Sequence, residues 1–160
     1  ISKRLRPKAK VLDIGPGGGF PALPLAVLRK DAFFILIERR QKVAAYLEHT
    51  ASCLGLGHVR ILPEEYEKFE RSKDLNPIHE VTAKAVWPWR VYLRKVLPLF
   101  LGGARVWVFH TPALEKEEIG GYLRDLCERP VSLCSLEVRL FPGGKSRRLF
   151  GATIQESNQK

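Results

Sequence analysis

The sequence of 160 residues contains no methionine and begins at Ile1. That start predicts a fragment or a trimmed chain. Cysteine is scarce as well. Cys53, Cys127 and Cys134 are odd in number, and no pair has CxxC spacing. This spacing argues against a disulfide framework or a zinc knuckle and predicts free buried thiols in a reducing, cytoplasmic compartment. No apolar run approaches the ~18 residues of a membrane span. The first ten residues carry five basic side chains and lead straight into a strand, so no secretory leader is predicted. Repeats, low-complexity tracts and linkers are also missing, and residues 1–160 read as one domain. His49, His58, His79 and His110 lack metal-ligand spacing, so no metal site is predicted. His110 is the one worth watching, because it follows a strand at the end where ligands bind. Acidic residues are the minority, 17 against 27 Lys and Arg, which leaves a net charge of +10. Such an excess favours a polyanionic partner, nucleic acid ahead of an anionic membrane. Basic residues that simply solvate the surface are the competing reading.

What is present is an alternation of short apolar runs with helical periods. Residues 10–14 predict a strand. Phe20 to Lys30 predicts a helix with Phe20, Leu23 and Val27 facing inward, Leu25 and Leu28 beside them, and Pro21 and Pro24 in the first turn. Residues 33–38 form a nearly continuous apolar run, the pattern of a strand buried on both faces. A helix over 39–54 has Val43, Tyr46, Leu47 and Leu54 on its inner face, and Gly55 and Gly57 stop it. Strands at 58–62, 79–86 and 104–109 follow. Between them lie an amphipathic acidic stretch at 64–71 and a helix at 88–101, with a further helix at 115–128. Strands at 135–141 and 147–154 flank Pro142-Gly143-Gly144-Lys145, a hairpin signal. The order implies a doubly wound α/β Rossmann-like fold, with a mostly parallel sheet and an antiparallel C-terminal hairpin.

The chemistry concentrates at the end of the first strand. Gly15, Gly17, Gly18 and Gly19 let the backbone approach a ligand closely. The helix that follows aims free N–H groups and partial positive charge at the same place. Glu38 ends the second strand, where a carboxylate can accept both ribose hydroxyls. Together these predict a nucleoside cofactor. A dinucleotide loop expects Gly or Ala at its sixth position. Gly15-x-Gly17-x-x-Phe20 has Phe there, and Asp13 stands just ahead of the glycines. Both features turn the reading from NAD, and from an NAD-dependent oxidoreductase, toward S-adenosylmethionine.

The stretch Asp13-Ile14-Gly15-Pro16-Gly17-Gly18-Gly19-Phe20-Pro21-Ala22-Leu23-Pro24-Leu25-Ala26 resembles the cofactor loop of the glucose-inhibited-division-B family. The segments Glu38–Lys42, Glu64-Glu65-Tyr66, Val81–Val86 and Gly144–Leu149 are similar in order. The family comprises class I methyltransferases that modify N7 of a guanine in small-subunit (16S) ribosomal RNA. The resemblance implies S-adenosyl-L-methionine as cofactor and 16S ribosomal RNA or the 30S subunit as partner. It places cofactor contacts at Gly15, Phe20, Pro63, Glu64 and Lys84. Glu38 takes the ribose hydroxyls, and Pro63-Glu64 flanks the adenine edge. This chain departs from the family in having Lys84 where Arg is usual and His110-Thr111 where Lys-Gly is frequent. No N-terminal helical segment precedes the first strand, which fits a fragment.

Guanine N7 already carries a lone pair, so its attack on a methyl group needs no general base. Catalysis is then mainly alignment. Lys84, at the end of the fourth strand, is the candidate for positioning substrate or cofactor. Trp87-Pro88-Trp89-Arg90 combines aromatics with a guanidinium, which suits base stacking and phosphate contact. Packing at a helix start would use the same residues. Lys145, Arg147 and Arg148, with Arg139 nearby, are candidates for following an RNA backbone. A non-catalytic RNA-binding or assembly protein on the same fold is the remaining alternative.

Overall fold

A computed structural model of the chain describes residues 1–71, 77–110, 116–139 and 146–154. The chain divides into two compact units, Ile1–Val86 and Trp87–Lys160.

In the first unit, β1 (Lys10–Ile14), β2 (Phe33–Ile37), β3 (Val59–Leu62) and β4 (Glu80–Ala83) alternate with α1 (Ala22–Leu28), α2 (Gln41–Cys53) and α3 (Tyr66–Arg71). The spatial order is β3-β2-β1-β4, and every pairing is parallel. Strand order therefore reverses between β1 and β4, the switch point at which open α/β sheets bind ligands. Alternation sends Val11, Phe34 and Leu36 to one face, where Ala22, Leu23, Ala26 and Leu47 cover them. Leu12, Ile14, Ile35 and Ile37 point the other way and are buried too. Both faces are covered, which is why these strands read as unbroken apolar runs. Burying each such side chain contributes roughly 1.5–3 kcal/mol.

The helix ends follow local chemistry. Gly55, at φ +64, closes α2. Its N–H bonds to Ser52 O and that of Leu56 bonds to Ala51 O, which satisfies carbonyls at the end of the helix. The N-terminal segment is tied down by Arg29. Its guanidinium donates to Ser2 O, Leu5 O and Arg6 O at 2.7–3.0 Å and also pairs with Asp31.

The second unit holds α4 (Trp89–Lys95), α5 (Leu97–Leu101), β5 (Arg105–His110), α6 (Lys116–Cys127), β6 (Val131–Arg139) and β7 (Ser146–Ile154). Strand β7 pairs antiparallel with both β5 and β6. An added Cβ on Gly151 would fall 2.9 Å from Cys134 Sγ and from Trp107, so only glycine fits that crossing.

Several sequence expectations need correction. The helix expected from Phe20 begins at Ala22, and its buried residues are Ala22, Leu23, Leu25 and Ala26. Phe20, Val27 and Leu28 are exposed. In α2 the inner face is Ala44, Leu47 and Ala51, while Tyr46 and Leu54 are exposed. Leu47 is buried as expected, with the smaller Ala44 and Ala51 beside it on the inner face. The strand expected over 79–86 stops at Ala83, because Ala85 takes φ +59. The single helix expected over 88–101 is two, with a break at Val96. Pro98 has no N–H for the carbonyl four residues earlier, and its ring crowds that carbonyl. Strand β6 starts at Val131, four residues earlier than 135. The three thiols are free but not buried: Cys53 is exposed, and Cys127 and Cys134 are half-buried. The turn at 142–145 lies outside the described residues.

Candidate cofactor site

Register alone assembles this site. Ile14 pairs with Ile37 and with Ala83, and Ile37 pairs with Leu62. The next residue along each strand is Gly15, Glu38, Lys84 and Pro63. Four of the predicted site residues thus follow register-matched positions along one edge of a parallel sheet.

The loop after β1 is built from left-handed turns. Gly15, Gly17 and Gly19 have φ of +62, +55 and +91. A Cβ on Gly15 would lie 2.7 Å from Val86 Cγ2, and one on Gly19 would lie 2.5 Å from Leu23 Cδ1. Those two glycines are fixed by packing as well as by backbone. Gly18 meets nothing within 4 Å, and Gly17 meets only Arg40 Nη2 at 3.9 Å. The outer part of the loop is therefore bare backbone, able to approach a ligand. Gly15 N–H bonds to Ile37 O at 2.8 Å, which ties the loop to β2. Phe20 projects from the loop and is exposed.

Glu38 is buried. Its Oε1 accepts from the backbone N–H of Arg40 at 3.0 Å and from Arg40 Nε at 3.0 Å. Its Oε2 accepts from Gly17 N–H at 3.3 Å and from Arg40 Nη2 at 3.3 Å. Burial opposes the carboxylate's charge, but these donors and the guanidinium outweigh it and hold the carboxyl below its ordinary range. An ionised acceptor at the end of β2 is the donor–acceptor chemistry that a ribose needs. With the open glycine loop, these residues fit a nucleoside cofactor.

Asp13 lies beneath the loop and is fully buried. Thr82, its register partner on β4, donates its hydroxyl to Asp13 Oδ1 at 2.9 Å. Oδ2 makes no well-formed hydrogen bond, although the Ala22 N–H gives the carboxylate electrostatic support. Burial dominates and pushes the carboxyl up to about 7, against the pull of Thr82, Ala22 and Lys84.

Pro63 is exposed and Glu64 half-buried. Glu64 pairs with Lys68 at 3.2 Å, and Gln41 Nε2 donates to Pro63 O at 3.3 Å. Lys84 is exposed just beyond β4. Sequence reasoning missed Arg40 and Thr82. The Glu38-x-Arg40 spacing signals the first. The second became visible only once β4 was registered against β1.

The Trp87–Arg90 stretch sits in the second unit. Trp89 meets Tyr122 edge to face at 5.3 Å. Arg90 lies over both rings, at 4.8 Å and 5.2 Å, and pairs with Glu118 at 2.8 Å. Much of Trp89 and part of Arg90 therefore pack α4 against α6. Lys95 lies over Trp87 at 5.0 Å. Arg147 and Arg148 are on β7, opposite Val138 and Glu137 in register, and Lys145 lies outside the described residues. His79 Nδ1 accepts from Lys10 N–H at 2.9 Å, and His58 Nε2 is 3.0 Å from Ala26 O, so both join segments of the first unit. Among the described residues no group of three or more His, Cys, Asp and Glu could hold a metal, and no helix is long and apolar enough to cross a membrane.

The model of the family GidB, rRNA small subunit methyltransferase G, matches residues 1–122. The chain is 40% identical over 99 residues to the ribosomal RNA small subunit methyltransferase G of Chloroflexus aggregans, covering 61% of this chain and 42% of that protein. It is 33% identical over 126 residues to the protein of the same name from Leifsonia xyli, covering 79% and 58%. The chain thus spans about half the length of the curated relatives it matches. A solved S-adenosylmethionine-dependent methyltransferase from Aquifex aeolicus superimposes with a TM-score of 0.64 at 19% identity, over 94% of this chain and 85% of that one. That likeness shows the fold: α/β and Rossmann-like, with parallel strands first and antiparallel strands at the C-terminal end.

Proposed function

This chain belongs to the GidB family, rRNA small subunit methyltransferase G, and from that premise we propose that it transfers a methyl group from S-adenosyl-L-methionine to N7 of a guanine in 16S ribosomal RNA. The observation that carries the reading is the aligned row of Gly15, Glu38, Pro63 and Lys84 at the switch point of a parallel sheet.

In this reading the bare backbone around Gly17 and Gly18 receives the amino-acid end of the cofactor, and Glu38 accepts the ribose hydroxyls. Pro63 and Glu64 flank the adenine, and Phe20 covers the loop. Asp13 with Thr82 fixes the floor on which the glycines turn. The cofactor supplies an electrophilic methyl on a sulfonium. Guanine N7 brings its own lone pair, so the chain's task is to align and to exclude water rather than to remove a proton. Lys84 provides a cation at the mouth of the row, suited to guanine O6 or to a phosphate. As a lysine it lacks the planar fork of arginine and holds its target as a point charge.

The substrate is 16S ribosomal RNA, free or in the 30S subunit, and the site of action is the cytoplasm. The net charge of +10 supports a polyanionic partner. Trp87 supplies stacking surface and Arg90 charge, while Trp89 is held by Tyr122, and Lys145, Arg147 and Arg148 follow the backbone.

The test is incubation of the chain with methyl-labelled cofactor and unmodified 30S subunits, followed by mapping of the modified nucleotide. Label at N7 of one guanine is expected. No incorporation into subunits or naked 16S RNA contradicts the reading.

A further inference from the structure

Glu38 has no acceptor position to spare. An ionised carboxylate offers about four lone-pair sites. Oε1 takes the Arg40 backbone N–H and Arg40 Nε, and Oε2 takes the Gly17 N–H and Arg40 Nη2. Two ribose hydroxyls can donate to this carboxylate only if two of those donors leave.

The four are not equally free to go. The Gly17 and Arg40 N–H groups are fixed by the loop and by the start of α2. The guanidinium ends a long side chain that is 63% exposed. Turning it into water breaks two hydrogen bonds and moves no backbone. Its charge is then re-solvated, and the buried Glu38 carboxylate keeps the Gly17 and Arg40 N–H donors and gains the two ribose hydroxyls, so the exchange leaves no buried charge without partners. Arg40 Nη2 also stands 3.9 Å from where a Cβ on Gly17 would be, so the guanidinium spans from the ribose acceptor toward the glycine loop.

We propose that the Arg40 side chain is a latch on the cofactor site: it occupies the ribose acceptors of Glu38 and is displaced when a ribose binds. The inference rests on the cofactor reading above and adds a residue to it. The latch keeps Glu38 ionised and oriented while no diol competes. On displacement it frees a guanidinium beside the site, where a phosphate of the substrate can take it up. Binding a nucleoside and binding a polyanion would then favour one another.

The test is calorimetric titration of S-adenosylmethionine into the wild-type chain, Arg40→Ala and Arg40→Gln, each at low and at high salt. If Arg40 competes with the ribose, both variants bind about two- to fivefold more tightly than wild type, because binding no longer requires the Arg40–Glu38 pair to break. Wild-type affinity should rise with salt, which weakens the pair that must break, and the variants should lack that rise. A residue that only stabilises the fold would not produce this salt signature. Variants that bind as tightly as wild type, or more weakly, overturn the latch while leaving the cofactor reading intact. No binding by any of the three proteins overturns both.

Discussion

Replacing Asp13 by Asn should flatten the pH dependence of stability. The Asp13 carboxyl is fully buried, and burial raises it from its ordinary 3.8 to about 7. The folded chain therefore keeps a proton that the unfolded chain releases throughout that window. Stability must fall as pH rises from about 4 to about 7 and level off above, where both states are ionised. At 1.36 kcal/mol per tenfold change in proton affinity, the loss between about pH 5 and about pH 8 is roughly 2–3 kcal/mol. For a domain of this size, that corresponds to about 5–10 °C in melting temperature. Asn keeps the shape and the acceptor for the Thr82 hydroxyl but never becomes charged. The assay is thermal melting of both proteins across the pH range. Glu38 is held below its ordinary value, so its contribution is lost only as pH falls through that lowered value, below this window. The wild-type curve should descend and the Asn variant should stay nearly level. Parallel curves would refute the assignment of a raised carboxyl at Asp13.

Two other expectations are independent of it. Gly19→Ala places a Cβ 2.5 Å from Leu23 Cδ1 at φ +91, whereas Gly18→Ala meets nothing within 4 Å. Urea unfolding should show a loss of about 1–3 kcal/mol for the first and within about 0.5 kcal/mol for the second, and equal losses would contradict the packing argument. Trp87→Ala should weaken RNA binding by an amount near the ~1–3 kcal/mol of one stacked base while S-adenosylmethionine affinity holds. Trp89→Ala should mainly lower the melting temperature, because its ring packs on Tyr122. RNA affinity unchanged in a folded Trp87→Ala protein would remove that residue from the interface.

The sheet was legible because burial on both faces leaves little choice of residue. The run Phe33–Ile37 and the glycines after Ile14 give β1, β2 and the loop almost to the residue. Glu38 was legible for a related reason: a charge at the end of an apolar strand has no packing role. Helix faces were less so. Large apolar residues suggested Phe20, Val27 and Tyr46 as inner positions, yet all three are exposed, and alanines share the buried faces with Leu23, Leu25 and Leu47. Hydrophobicity marks what can be buried, not how near two backbones must come. Arg40 escaped notice because one more arginine in a basic chain carries no signal until its fork is seen on Glu38. Thr82 depended on register across 69 residues of sequence, which no local pattern encodes. The Trp87–Arg90 stretch kept two readings, and the structure gives Trp89 and part of Arg90 to packing within the second unit.

The most direct test of the cofactor site is titration of S-adenosylmethionine into this chain and into Glu38→Gln, with NAD as the competing nucleotide. Removing hydrogen bonds to a charged acceptor should weaken the variant by about 10- to 100-fold. The expected result is saturable S-adenosylmethionine binding by the wild type, that loss in Glu38→Gln, and no binding of NAD by either. Equal affinity in the two proteins, or a preference for NAD, would contradict the account.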